Sequence, residues 1–228
     1  MNKLLSVLIP VYNEVHTITK IIDRVHKVPL DKEIIVIDDG STDGTSEALK
    51  SIKESNVKIY FHKKNSGKGS AIKTGLQHIN GDIIIIQDAD LEYPPEQYPE
   101  ILKPIYDDCA DVVYGTRFIG IHRVFMFWHY MGNKILTLFT NILYDTMLTD
   151  METGYKAWTK SALNGITLKS DGFNIEAELT AKFFKKRTLR IVEVPITYYG
   201  RSYKEGKKIT WKDAIPTILT LIKYRFLN

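Results

Sequence analysis

The chain is poor in the features of secreted and membrane-spanning proteins. It has one cysteine in 228 residues, Cys109, which excludes a disulfide framework and a cysteine-rich metal site. No stretch reaches the roughly 18 charge-free apolar residues of a spanning helix, and residues 1–9, ahead of Pro10, are too few for a signal peptide. We therefore expect a cytoplasmic protein that is soluble or bound peripherally at a membrane surface.

Two common nucleotide-binding signatures are also absent. No GxGxxG dinucleotide motif follows the first predicted strand, and the chain has no GxxxxGK[ST] phosphate-binding loop. The GKG sequence at 67–69 is a weak signal by itself. These absences argue against a dehydrogenase or an ATPase, and no feature indicates binding to nucleic acid.

The first half of the chain alternates predicted strands with predicted helices. The strands are short aliphatic runs, at 4–9 (ended by Pro10), 33–37, 57–61 and 83–86. The helices have apolar residues at helical spacing, at 15–28, 45–54 and 70–78. Repeated units of this kind predict an α/β domain with a Rossmann-like, mostly parallel sheet and helices on both faces.

Acidic residues follow three of these strands. Asp88 and Asp90 come after the isoleucine run at 83–86, while Glu14 and the pair at 38–39 follow the first two strands. Because the carboxyl ends of parallel strands meet at the edge where ligands bind, we expect these groups to converge there. An isolated Asp-X-Asp is usually a solvated turn. Here a divalent cation bridging the pair to phosphates would relieve their repulsion, which favours a nucleotide carrying a transferable group.

A series of motifs resembles those of the family 2 glycosyltransferases, which have the GT-A fold. In the first half they are PVYNE (10–14), DDGSTDGT (38–45), NSGKGSAIKTG (65–75) and DADLEYPPE (88–96). In the second half GTRF (115–118), DMETGYK (150–156), FNIE (173–176) and VPI (194–196) resemble the polyprenyl-phosphate sugar synthases, the group that includes dolichyl-phosphate mannose synthase. The resemblance implies a GT-A domain over 1–212, with a nucleotide-sugar half (1–117) and an acceptor half (118–212), followed by an amphipathic helix at 213–228.

The activity implied by the resemblance is an inverting, metal-dependent transfer of a hexose to polyprenyl or dolichyl phosphate at a membrane face. GDP-mannose is the first expectation for the donor, and a UDP-sugar carrying glucose or N-acetylhexosamine is the alternative. Transfer to a glycan hydroxyl would require a general base, and none is evident in the sequence. A nucleotide-sugar-binding regulatory subunit is the non-enzymatic alternative. The acidic pair, Arg117 and Arg201 are intact, which argues against it.

The resemblance also implies roles for individual residues. The catalytic residues are Asp90, Arg117 and Arg201. The nucleotide-sugar-binding residues are Pro10, Val11, Tyr12, Glu14, Ile37, Asp39, Lys68, Asp88, Ala89 and Lys207. The ligands of Mg²⁺ or Mn²⁺ are Asp88, Asp90 and Glu92. The residues on the acceptor side are Arg117, Arg201, Asp150 and Glu176.

Other residues and segments are also interpreted from the sequence. Asp150, Glu152 and Glu176 are candidates for contact with the transferred sugar, or they support the structure. The histidines lack ligand spacing and are interpreted as surface residues at 16, 26, 62 and 78. The loop at 199–208 has glycines beside its charges, which predicts a lid that orders around phosphates. A homo-oligomer is left open.

Two segments have the composition of interfacial helices. Residues 118–144, predicted to form a helix pair, and residues 211–226 mix aromatic and aliphatic side chains with Lys, Arg and His. Lys and Arg also crowd the last third of the chain, which predicts an anionic partner such as phosphate or a lipid headgroup layer. The alternatives are helices that cover the sheet and a solvated basic face.

Overall fold

The predicted strands and helices form, in a computed structural model, a seven-stranded sheet with helices on both faces. The structure describes residues 3–124, 126–202, 205–206, 208 and 211–227, with the side chain of Trp211 excluded. The strands are β1 (Leu5–Val11), β2 (Lys32–Asp38), β3 (Val57–Phe61), β4 (Ile83–Ile86), β5 (Val112–Thr116), β6 (Lys156–Thr159) and β7 (Ile191–Pro195). Their order is β3-β2-β1-β4-β6-β5-β7. Only β6 runs antiparallel to its neighbours among these strands, so the mostly parallel architecture is confirmed.

Seven α-helices are described around this sheet. They are α1 (Ile18–Lys27), α2 (Thr45–Lys50), α3 (Lys68–Leu76), α4 (Tyr98–Tyr106), α5 (Phe127–Tyr144), α6 (Ile175–Lys185) and α7 (Ala214–Phe226). Short 3₁₀ turns occur at Pro95–Gln97, Lys160–Leu163 and Trp211–Asp213. Helices α1, α2 and α4 pack on one face, and α3, α5, α6 and α7 pack on the other.

Strand β4 shows why the sheet is buried on both sides. Side chains alternate across a strand, so Ile83 and Ile85 enter the core beneath α1 and α4. Ile84 and Ile86 enter the core beneath α3 and α6. All four are fully buried, as expected for a strand without a solvated face.

The prediction that Pro10 ends the first strand is wrong, because β1 runs through Pro10 to Val11. Gln87 N donates to Leu8 O at 2.9 Å, so the backbone of Leu8, and of Pro10 two residues later, is turned toward β4. Strand β4 has already ended at Ile86. The N–H that proline lacks therefore costs the described sheet no hydrogen bond.

The predicted helices exist, but their boundaries differ. Helix α1 starts three residues later than predicted, and α2 ends four residues earlier. Helix α3 begins at Lys68, two residues earlier, because the chain before it packs tightly on another loop. A Cβ on Gly67 or Gly69 would lie 2.4 Å from a backbone oxygen of residue 171 or 170, so only glycine permits this approach.

The predicted helix pair at 118–144 is also wrong, because the described residues of this stretch form the single helix α5, and those of 118–126 are not helical. Helix α7 packs against α5 and α6: Tyr144 Oη donates to Leu221 O at 2.7 Å, and Asn174 Nδ2 donates to Thr220 Oγ1 at 2.9 Å. Part of each segment thus covers the sheet. Within the described ranges, the search for a helix able to cross a bilayer finds none.

Glu33 joins three strands at the end of the sheet opposite the acidic residues. Its carboxylate accepts hydrogen bonds from Ser6 Oγ in β1 and from Asn80 and Gly81 in the turn before β4. Burial opposes the charged form, but the hydrogen bonds from Asn80, Ser6 and Lys58 outweigh it and lower the pKa of Glu33 from 4.5 to about 2.

We expect Glu33→Gln to lower the free energy of unfolding at pH 7 by about 1–3 kcal/mol, since several donors lose a charged acceptor. The folded-state pKa is depressed, so the contribution is complete above pH 4.5 and is lost as pH falls toward 2. Denaturant titrations at pH 7 and pH 3 should show a smaller difference at pH 3. The exposed Glu54→Gln is the matched control. An equal loss at both pH values would contradict this assignment.

Candidate active site

A cleft of about 400 Å³ opens where β1, β2 and β4 end. The residues predicted from sequence that line it are Pro10, Val11, Tyr12, Glu14, Asp39, Lys68, Asp88, Ala89, Asp90, Glu92, Arg117, Glu176 and Arg201. The acidic strand ends thus meet at one edge of the sheet, as predicted.

Two of the predicted site residues that the structure describes do not line this cleft. Ile37 is fully buried in the core, and a Cβ on Gly75 would lie 2.7 Å from its Cδ1. Asp150 is fully buried behind Arg117 instead of facing an acceptor. Core packing occupies the side chain of Ile37, and an ion pair with Arg117 occupies that of Asp150. Lys207 lies outside the described residues, as does part of the predicted lid.

Asp39 fixes the loop that leads into α3. It accepts hydrogen bonds from Gly67 N at 2.7 Å and Ser66 N at 3.0 Å, while His62 Nδ1 lies 2.7 Å from its Oδ1. His62 Nε2 also lies 2.9 Å from Thr74 Oγ1 in α3. The interpretation of His62 as a surface residue is wrong, because its ring links the end of β2 to α3.

The Asp88–Asp90 pair faces the cleft in a crowded acidic environment. Lys68 Nζ contacts Asp88 Oδ1 at 2.7 Å, and Arg201 Nη2 contacts Asp90 Oδ2 at 3.3 Å. Burial, followed by the charges of Glu92 and Asp88, raises the pKa of Asp90 to about 7. A Cβ on Gly154 would lie 2.3 Å from Asp88 Oδ2, so the backbone at Gly154 closes directly over this carboxylate.

Glu92 does not complete a three-carboxylate metal site. Its Oε2 accepts a hydrogen bond from Tyr198 Oη at 2.6 Å, and its Oε1 accepts one from Arg201 N at 2.8 Å. In the part of the chain that the structure describes, no three His, Cys, Asp or Glu side chains form a metal-ligand cluster. Mg²⁺ is commonly held by one or two carboxylates together with phosphate oxygens. Asp88 and Asp90 alone therefore fit a divalent ion that binds with a phosphate-bearing substrate.

Arg201 and Lys208 bring the chain near residue 200 back to the end of β1. Arg201 Nη2 lies 3.0 Å from Glu14 Oε1 and its Nη1 lies 3.2 Å from Oε2, while Lys208 Nζ lies 2.8 Å from Oε1. Burial by itself would raise the pKa of Glu14, but the hydrogen bonds from Arg201 and Lys208 lower it overall. Two cations thus stand beside the acidic strand ends, where phosphate oxygens could replace the carboxylates as their partners.

Arg117 is held rigidly on the opposite wall. Its Nε and Nη2 donate to Asp150 Oδ2 and Oδ1, each at 2.7 Å, and its guanidinium lies 5.2 Å from the centre of the Tyr198 ring. Asn133 Oδ1 accepts a weaker hydrogen bond from Nη2 at 3.4 Å. Asp150 thus orients Arg117 and leaves the outer edge of the guanidinium toward the cleft.

A chain of alternating charges forms the floor of the cleft. Lys68 Nζ contacts Glu176 Oε1 at 3.0 Å as well as Asp88, and Lys156 Nζ contacts Glu176 Oε2 at 2.6 Å. Glu176 therefore lies in the cleft, but both of its carboxylate oxygens already face lysines.

Comparison with known proteins identifies the family. Residues 6–165 match the family model described as Glycosyl transferase family 2. The chain belongs to this family. The matched region of this family 2 glycosyltransferase includes the ends of β1, β2 and β4 together with Lys68 and Arg117, which line much of the acidic cleft. It also includes Asp150, the partner of Arg117.

Curated relatives of this family 2 glycosyltransferase extend the likeness. A dolichol-phosphate mannosyltransferase from Pyrococcus furiosus is 30% identical over 209 residues, covering 89% of this chain and 58% of its own length. An undecaprenyl-phosphate mannosyltransferase from Micrococcus luteus is 29% identical, covering 88% of this chain and 85% of its own. The chain thus spans little more than half of the Pyrococcus protein.

Solved structures share the fold. Glucosyl-3-phosphoglycerate synthase from Mycobacterium tuberculosis, in complex with Mn²⁺, UDP and phosphoglyceric acid, has a TM-score of 0.76. The alignment covers 99% of this chain and 80% of that one at 21% identity. At this identity the likeness supports the GT-A type of α/β architecture alone.

Several cleft residues of this family 2 glycosyltransferase were absent from the predicted set. His129 and Asn133 project from α5 beside Arg117, and Tyr198 and Lys208 also line the cleft. Glu152, one of the candidates for contact with the transferred sugar, lines it too. The i, i+4 spacing of His129 and Asn133 within an apolar helix was the available signal, since such a pair shares one face. No pattern in the sequence marks Tyr198 or Lys208 individually.

We expect Asp150→Asn to lower the free energy of unfolding by about 3–5 kcal/mol, because it leaves the buried Arg117 guanidinium without its counter-charge. The matched control is Glu96→Gln, which breaks an equally bidentate pair with Arg24 at the surface and should cost less than about 1 kcal/mol. Denaturant unfolding at neutral pH measures both. Similar losses in the two variants would contradict the structural role assigned to Asp150.

Proposed function

We propose that this protein transfers a hexose from a nucleotide sugar to a polyprenyl phosphate at a membrane surface. The observation that carries the proposal is a single cleft in which the Asp88–Asp90 pair faces Arg117, with Arg201 and Lys208 beside it. The cleft thus combines carboxylates suited to a cation with basic groups suited to phosphates. Cleavage of a sugar–diphosphate bond requires both, because negative charge develops on the leaving diphosphate.

Mannose is the first choice for the transferred sugar, because both curated relatives described above are named mannosyltransferases. GDP-mannose is then the donor to test first. A UDP-sugar is the alternative, since the synthase of similar fold was solved with UDP. Pro10, Tyr12, Glu14 and Asp39 lie on the β1 and β2 side of the cleft, where we place the base and ribose.

Asp88 and Asp90 are the residues that we propose to hold Mg²⁺ or Mn²⁺. When bound, such an ion neutralises charge on the leaving diphosphate. Lys68, paired with Asp88, fixes the position of that carboxylate. Arg201 supplies guanidinium donors near the same phosphates, because its Nη2 already reaches the edge of Asp90.

The acceptor is proposed to be an anionic phosphate and not a hydroxyl. A phosphate oxygen is already a nucleophile, so its attack needs basic groups for positioning and no group to remove a proton. Arg117, oriented by Asp150, stands beside His129 and Asn133 on the side of the cleft that α5 forms. These three side chains fit the headgroup of the acceptor.

The surface beside this wall is unusually apolar. Large exposed apolar side chains on α5 are Phe127, Trp128, Ile135, Leu138 and Ile142, and those on α7 are Ile215, Leu219, Ile222 and Phe226. Because α5 also carries His129 and Asn133 into the cleft, a lipid lying on this surface would have its phosphate near Arg117. Basic residues at the end of α7, Lys223 and Arg225, suit an anionic leaflet. A homodimer interface is the alternative use of the same surface.

The transfer assay combines the protein with radiolabelled GDP- and UDP-sugars, polyprenyl phosphate and Mg²⁺ or Mn²⁺, followed by extraction of the product into organic solvent. We expect label in the organic phase and its loss with a chelator. Asp90→Asn should lower kcat by about 100-fold or more without lowering the melting temperature. The control is Asp107→Asn at the surface. Unchanged turnover of Asp90→Asn would refute the metal assignment, and absence of labelled lipid with every donor would refute the proposed function.

Flotation with liposomes tests attachment to a membrane. We expect the protein to rise with anionic liposomes at low salt and to detach at high salt, because several basic residues each contribute about 1 kcal/mol near an anionic surface. Leu138→Glu combined with Leu219→Glu should abolish flotation. Phe61→Glu, at another exposed apolar position at the end of β3, should not. A wild-type protein that stays unbound but elutes as a dimer would assign the surface to a subunit interface.

A further inference from the structure

Glu152 lines the cleft, and one oxygen of its carboxyl group lacks a hydrogen-bond partner among the described residues. Its Oε1 atom is buried, and among the described residues no group donates a hydrogen bond to it. A buried polar atom without a partner is costly, and native structures rarely keep one unless it serves a ligand or binds water. The loop that carries Glu152 also holds Asp150 and Gly154, so its position is fixed at both ends.

The charges around Glu152 are already paired with one another. Asp88 and Glu176 share Lys68, Lys156 pairs with Glu176, and Arg117 holds the Asp150 carboxylate in a bidentate contact. Burial raises the pKa of Glu152 to about 7, although Lys156 and Arg117 act in the opposite direction and Glu176 and Asp150 add to the rise. The charged groups around Glu152 thus neutralise one another and leave none of the described cations paired with it. No described group donates a hydrogen bond to its Oε1.

The position of Glu152 in the cleft indicates which ligand group it meets. Two residues further along, the backbone of Gly154 closes over Asp88, on the side where the diphosphate of the donor is placed. Arg117, on the side where the acceptor phosphate is placed, is close enough to influence the charge of Glu152. The group between a leaving diphosphate and an attacking phosphate is the transferred sugar.

We propose that the Glu152 carboxyl group accepts a hydrogen bond from a hydroxyl or amide N–H of the transferred sugar and so selects among donor sugars. This inference rests on the proposed function. It assigns the donor to neutral hexoses that carry a hydrogen-bond donor at this position. A sugar with a carboxylate at this position is disfavoured, because that carboxylate would lie beside Glu152. A site built to bind a hydroxyl rejects the analogue that lacks it far more strongly than an apolar pocket rejects a missing methylene.

Isothermal titration with Mg²⁺ separates the sugar from the nucleotide. The ligands are the nucleoside diphosphate and the nucleotide sugar that binds the wild type most tightly in a panel of GDP- and UDP-sugars. We expect Glu152→Ala to bind the nucleoside diphosphate within about twofold of wild type and the nucleotide sugar about tenfold more weakly. In a panel of monodeoxy sugar nucleotides, one analogue should bind the wild type about tenfold more weakly than the parent nucleotide sugar does. Glu152→Ala should bind that analogue and the parent with equal affinity.

Thermal unfolding distinguishes a ligand-binding carboxyl group from a structural one. The folded-state pKa of about 7 lies above the ordinary 4.5, so ionisation of Glu152 destabilises the folded protein increasingly as pH rises from 4.5 to 7. Glu152→Gln cannot ionise, so its melting temperature relative to wild type should be higher at pH 8 than at pH 5. The control Glu178→Gln changes a fully buried glutamate that accepts hydrogen bonds from Lys169 N and Ser170 N, and it should melt lower.

The outcomes separate the two proposals. Equal weakening of nucleoside diphosphate and nucleotide sugar in Glu152→Ala overturns the role of Glu152, as does a fall in melting temperature of Glu152→Gln like that of Glu178→Gln. A wild type that binds nucleotide sugar no more tightly than nucleoside diphosphate overturns it too. Loss of sugar-dependent binding in Glu152→Ala supports the role of Glu152 even if labelled lipid never forms. In that case only the acceptor in the proposed function fails.

Discussion

Compensation of buried negative charge is the constraint on which the rest of this structure depends. The parallel sheet brings the acidic ends of β1, β2 and β4 to one edge, where burial makes each carboxylate costly unless a donor or cation reaches it. The compensating groups come from far along the chain. Arg201 reaches Glu14 and Asp90, while Lys156 pairs with Glu176, which in turn contacts Lys68. The ion pairs therefore hold the later part of the chain against the ends of the first strands.

The same ion pairs prepare the cleft for phosphates. A guanidinium paired with a carboxylate keeps its position and can exchange that partner for a phosphate oxygen, which accepts the same bidentate hydrogen bonds. Arg201 and Lys208 are in this situation, because both contact Glu14 at the rim of the cleft. Arg117 differs, since its fully buried partner Asp150 fixes one edge of the guanidinium permanently and leaves the other edge for a ligand. The cleft thus contains two basic groups that can exchange partners, Arg201 and Lys208, and one whose position is fixed, Arg117.

Patterns of local sequence predicted the parts of the site that follow directly from strand ends. The isoleucine run of β4 fixed the place of Asp88 and Asp90, since a strand buried on both faces must end at the sheet edge. Local patterns did not predict how His62 holds Asp39, or that Glu92 is occupied by Tyr198 and Arg201, because these contacts join residues far apart in the sequence. The boundary at Pro10 was predicted wrongly for a similar reason: whether a missing N–H matters depends on the length of the neighbouring strand.

Local sequence is sufficient to predict the α/β class, the family motifs and the acidic and basic residues of the site, since periodicity and strand-end chemistry are local properties. The tertiary fold determines which of these charges meet. It turned Asp150 into the support of Arg117, brought His129 from an apolar helix to the cleft, and left Glu152 with a buried oxygen that no described group satisfies. The physical reason is that the free energy of a charged side chain depends on its burial and on its neighbours, and both are set by packing between distant segments.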